Sequence, residues 1–105
     1  MNNERLLKLL DYYNQNPNDP FIIYGIALEY SEENAGEALN FFNILLEKHP
    51  EYLPTYYHAA ALLAEMEMTD KAEEVYKKGI ALAEKDNDQH TLKELKNAYL
   101  NFMYE

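Results

Sequence analysis

Three histidines and nineteen carboxylates are the side chains of this 105-residue sequence best suited to catalysis or metal binding. His49 precedes Pro50 at the end of a helical stretch, His58 lies in mid-helix and His90 lies in a polar loop. None has a second histidine three or four residues away, so no pair shares a helix face to hold a metal. The run "DNDQHTLKE", Asp86 to Glu94, spaces oxygen ligands somewhat like a calcium loop. It lacks the glycine of the sharp turn, and Asn97 stands where a bidentate glutamate belongs. There is no glycine-rich phosphate loop, no Gly-x-Ser-x-Gly and no cysteine to serve as nucleophile. The sequence therefore predicts no enzyme, no cofactor and no metal site.

Binding chemistry is better represented. Ten tyrosines accompany four phenylalanines, with no tryptophan. Tyrosine buries a ring and keeps a polar tip, which suits half-buried walls. The stretch "YYHAAALLAE", Tyr56 to Glu65, sets two tyrosines and a histidine beside three alanines. The formal net charge is −10. That balance disfavours nucleic acid and anionic membrane as partners, because both would repel it. The densest basic cluster, Lys77-Lys78, is itself preceded by Glu73 and Glu74. No apolar run is long enough to span a membrane, and the first residues lack a basic, then apolar, leader pattern. The expected location is the cytoplasm.

These side chains must be positioned by helices. Breaks fall in the Asn/Pro/Asp cluster at 14–20, then at "EEN", "HPEYLP", "EMTD" and "KDNDQHT". The segments between them predict helices near 3–14, 20–31, 35–48, 54–66, 70–84 and 92–104, and no sheet. Asp19 before Pro20 reads as a cap, Asn34 with Glu37 and Thr91 with Glu94 as capping boxes, and Thr69 as a further cap. Glu73–Lys77 and Glu74–Lys78 are pairs four residues apart in the favourable orientation.

The pattern also repeats. Ile23, Ile26, Ala27 and Tyr30 recur as Tyr56, Ala59, Ala60 and Leu63, an offset of 33 from Ile23 to Tyr56. Ala38, Phe42 and Leu45 recur as Ala72, Tyr76 and Gly79, an offset of 34 from Ala38 to Ala72. Pro17 and Pro50 precede the two copies. The unit is a helical hairpin of about 34 residues. In these residues the sequence resembles the tetratricopeptide repeat family. The second copy follows the family pattern well. The first is looser, with Leu45 at a position that is usually small.

The resemblance implies an all-α solenoid of antiparallel hairpins forming a single domain over residues 1–105. It would comprise an N-terminal helix (3–14), a first hairpin (20–50), a second hairpin (53–84) and a capping helix (92–104). Leu9 of the first helix aligns with Phe42 and Tyr76, and Leu92, Leu95, Tyr99 and Phe102 would seal the far end. In the family, the first helices of successive hairpins line a concave groove. With Tyr56, Ala59, Ala60 and Leu63 assigned to the stack, Tyr57, His58, Ala61 and Glu65 remain for that groove. Their equivalents are Tyr24, Gly25, Leu28 and Glu32, with Phe21 one turn earlier. Lys93, Lys96, Leu100 and Met103 form a flanking stripe on the last helix, from which Lys96 is assigned to the groove. Carboxylate-gripping members carry Lys, Asn and Arg at positions that here hold Tyr24, Leu28, His58 and Pro54, so the resemblance carries no carboxylate clamp. Acidic Glu29, Glu32, Glu33 and Glu65 near the rim favour a neutral or basic ligand. The expectation is a protein- or peptide-binding scaffold. The alternative is a homo-oligomerising structural module, pairing as a homodimer through Leu100, Phe102, Met103 and Tyr104 of the C-terminal helix.

Overall fold

A computed structural model describes residues 3–105. The described residues form helices and turns, with no strand. The helices are α1 (Asn3–Gln15), α2 (Pro20–Tyr30), α3 (Ala35–Lys48), α4 (Pro54–Glu65), α5 (Thr69–Lys85) and α6 (Gln89–Met103). None is long and apolar enough to cross a membrane. The chain divides into two compact units, one running up to Thr55 and the other starting at Tyr56.

In the first unit α2 packs on both α1 and α3. Its core holds Leu6, Ile23, Ile26, Ala27, Ala38, Phe42 and Leu45. Tyr13 of α1 meets Phe41 of α3 edge-on at 5.6 Å, and Tyr30 of α2 stacks on the same ring at 6.0 Å. Phe41 thus joins all three helices. Arg5 and Glu29 form an ion pair between α1 and α2 at 3.1 Å. Glu29 therefore serves the α1–α2 contact rather than a binding rim. Gly25, expected on the groove side, instead faces α1, where an added Cβ would lie 3.4 Å from Leu9 Cδ2.

The second unit pairs α4 with α5 and α5 with α6. Tyr56, Ala59, Ala60, Leu63, Ala72, Tyr76 and Gly79 are all buried, as the repeat pattern requires. Leu62, Val75, Ala83 and Leu95 complete that core. The two predicted ion pairs on α5 form, Lys77–Glu73 at 3.9 Å and Lys78–Glu74 at 3.6 Å.

Capping follows the sequence at two helices and departs from it at two. Asp19 accepts a hydrogen bond from Phe21 N–H at 3.0 Å, and Asn34 accepts one from Glu37 N–H at 3.2 Å. The Glu37 side chain accepts from Asn40 at 3.1 Å. Thr69 is not a cap: Met68 holds that position without a side-chain bond, and Thr69 is the first helical residue. Thr91 is not a cap either. Helix α6 begins at Gln89, and Asp88 accepts from Thr91 N–H at 3.0 Å and from its hydroxyl at 2.9 Å. The calcium-like run is thereby spent on a turn and the opening of a helix.

Candidate functional site

The second unit carries a cleft of about 310 Å³. One wall is a stripe of α4, namely Tyr57, Ala61, Ala64 and Glu65. Residues spaced by about one and two turns lie on one helix face, so this wall follows directly from the spacing. The opposite wall repeats the device on α6 and the residue beyond its cap, with Ala98, Asn101, Phe102 and Glu105. Tyr76 of α5 completes the lining. It is 4% exposed, so it forms the floor, whereas Tyr57 is 41% exposed and stands at the mouth.

Ring contacts fix the floor. Tyr76 lies 5.4 Å from Phe102 and 5.9 Å from Tyr99, and Tyr99 stacks on Phe102 at 6.3 Å. The Tyr99 hydroxyl donates to Glu73 at 2.9 Å, which ties α6 to α5 beside the cleft. Burial pushes the Tyr76 phenol above its ordinary pKa, and Tyr57 and Glu105 push it further. The floor therefore stays a neutral phenol while Glu65 and Glu105 supply the charge.

The other expected site residues are distributed as follows. His58 is exposed and meets the Tyr57 ring edge-on at 5.3 Å. Surrounding protein lowers its pKa below the usual histidine value, while Glu94 opposes that shift. Neither His58 nor Lys96 lines the cleft, and Lys96 is exposed on α6. In the first unit Phe21 and Leu28 are exposed on α2. Tyr24 is half-buried and meets Tyr52 edge-on at 5.8 Å. Burial pushes its phenol pKa up, and Tyr52 adds to the shift.

Of the residues expected in a groove, Tyr57, Ala61 and Glu65 line this cleft, whereas its lining residues on α5 and α6 were not among that set. The sequence pattern places Tyr76 in the stack, and Phe102 in the end-sealing stripe and in the alternative homodimer surface; both also line the cleft. The spacing of Ala98, Asn101, Phe102 and Glu105 was an available signal, because it places all four on one face. Among the described residues no three histidine, cysteine, aspartate or glutamate side chains converge to hold a metal.

No protein-family model and no curated protein matches the sequence. Solved structures do. A solution structure of a tetratricopeptide repeat domain protein from Salinibacter ruber is 39% identical, with a TM-score of 0.77 over 83% of this chain and 89% of that one. A crystal structure of a tetratricopeptide repeat domain protein from the same organism is 38% identical, with a TM-score of 0.76 over 81% of this chain and 97% of that one. Such coverage at such identity reaches beyond a shared helical architecture. The chain belongs to the tetratricopeptide repeat family, whose fold is in general a non-catalytic scaffold for protein interaction.

Proposed function

We propose that the chain is an adaptor that binds a peptide segment of another protein, with the cleft of the second unit as its main docking site. The observation that carries this reading is the Tyr57–Ala61–Glu65 stripe facing Phe102 across an open cleft. The lining sets aromatic rings and alanines beside carboxylates and an amide, and its polar surface outweighs its apolar surface, which suits a segment carrying polar or charged groups. Phe21 and Leu28, exposed on α2, offer the first unit a contact surface of its own. The carboxylates and the net charge of −10 select a neutral or basic segment over an acidic one. The cysteine-free sequence needs no oxidising compartment, which suits a cytoplasmic setting.

The test is a peptide-display selection on the wild-type protein, repeated on Tyr57→Ala. Peptides enriched by the wild type and lost on the variant, with helicity unchanged, support the reading. Equal enrichment by both proteins sinks it.

A second reading is self-association, favoured by the exposure of Leu100, Met103 and Tyr104 at the end of α6. It predicts a dimer by light scattering at micromolar protein that becomes monomeric in Met103→Glu. A monomer at high concentration eliminates it.

A further inference from the structure

We propose that the cleft of the second unit is a receptor for one cationic side chain, a lysine or arginine projecting from the bound peptide. The inference rests on the docking reading above and gives it a chemical specificity.

Three aromatic residues, Tyr57, Tyr76 and Phe102, and two acidic residues, Glu65 and Glu105, line the same space. An ammonium or guanidinium is attracted both to a ring face and to a carboxylate. No basic residue of the protein's own lines the cleft. The small side chains Ala61 and Ala98 leave room for the aliphatic stem of such a residue, which packs on apolar surface while its charged head stays at the mouth.

Other occupants fit less well. An acidic side chain would meet two like charges. An aliphatic one would cover carboxylates without pairing them, which costs free energy. The Arg5–Glu29 pair shows a different use of charge in the first unit, where an acid is already matched by the protein itself. Among the described residues no ion pair joins Glu65 or Glu105 to a basic side chain, and the two share a cleft of about 310 Å³.

The experiment is a titration of the isotope-labelled full chain, followed by NMR. The probes are the pentapeptide acetyl-Ala-Ala-Arg-Ala-Ala-amide, its lysine counterpart and an uncharged norleucine counterpart. The amides of Ala61, Ala64, Ala98 and Asn101 should move saturably with both charged peptides. Binding of the norleucine peptide should be about tenfold weaker, and the pair Glu65→Gln with Glu105→Gln should weaken the arginine peptide about tenfold. Both glutamine changes are conservative, and an otherwise unchanged spectrum verifies the fold. Equal binding of the norleucine peptide overturns the inference. So does binding that ignores the glutamine pair, or shifts confined to another face. If no pentapeptide binds while display still enriches Tyr57-dependent peptides without a basic residue, the cation receptor fails and the docking reading survives. If display enriches nothing that depends on Tyr57, both fail.

Discussion

A Cβ built on Gly79 would lie 2.6 Å from Tyr56 Cβ and 3.3 Å from Leu95 Cδ1. The first distance is shorter than side-chain carbons tolerate, and it is to an atom held close to the backbone. Helices α4 and α5 approach each other at this point because one of them has no side chain there. Gly79→Ala should therefore destabilise the protein by about 1–3 kcal/mol despite alanine's better helix propensity. A fall in the urea midpoint would show it; an unchanged or raised midpoint would mean the contact is easily relieved. Gly25 makes the contrast, since its added Cβ would meet only the flexible end of Leu9 at 3.4 Å. The role of Gly79 was legible because it occupies the small position of the repeat. The role of Gly25 was not, because its register suits the groove as well as it suits α1. Only the packing of α1 decides between them.

The ends of helices carry the next level of specification. Glu67 has φ of 60° and Asn87 has φ of 57°, both in the left-handed region. Each follows a helix end closed in the same way. Met68 N–H donates to Leu63 at 2.9 Å and Glu67 N–H to Ala64 at 3.0 Å. Asp88 N–H donates to Ala83 at 3.0 Å and Asn87 N–H to Glu84 at 3.2 Å. This is the Schellman arrangement, which glycine usually completes. Glutamate is strained in it, so Glu67→Gly should raise stability by about 0.5–1 kcal/mol, read as a higher urea midpoint. No change, or a loss, would show that the strain is absorbed elsewhere.

Asp88 closes one helix and caps the next. That double use explains why Thr91 looked like the cap from the sequence. Both residue types cap well, and they stand three apart. The left-handed turn at Asn87 reverses the chain one residue before Asp88, which selects the aspartate. The hydrogen bonds from Thr91 hold the Asp88 carboxyl below its ordinary pKa. The folded state thus favours the ionised form. The resulting stabilisation is complete above the ordinary aspartate pKa and is lost as pH falls through the lowered one. Asp88→Asn should flatten the acid limb of a stability–pH profile. A profile that keeps its slope would assign acid sensitivity to other carboxylates.

At the scale of the whole molecule, the repeat was the most legible feature, because packing repeats itself at fixed spacing. Residues 20–84 announced two hairpins, and their consensus positions are buried or nearly so. The candidate cleft was half legible. Tyr57, Ala61 and Glu65 could be found by removing the stack-facing residues from α4. Their partners could not, because Tyr76 and Phe102 satisfy a core pattern and reach the cleft only through three-dimensional placement. His58 and Lys96 share the helical registers of site residues yet lie outside the cleft lining.

Membership in a repeat family gives a scaffold, and the cleft is the place we propose that this scaffold grips. The direct measurement is the dissociation constant of one display-selected peptide for the wild type and for Tyr57→Ala. The account predicts a loss of about tenfold or more on removing this ring from the mouth of the cleft, with the helical circular dichroism unchanged. Equal affinity of the two proteins for that peptide would contradict it.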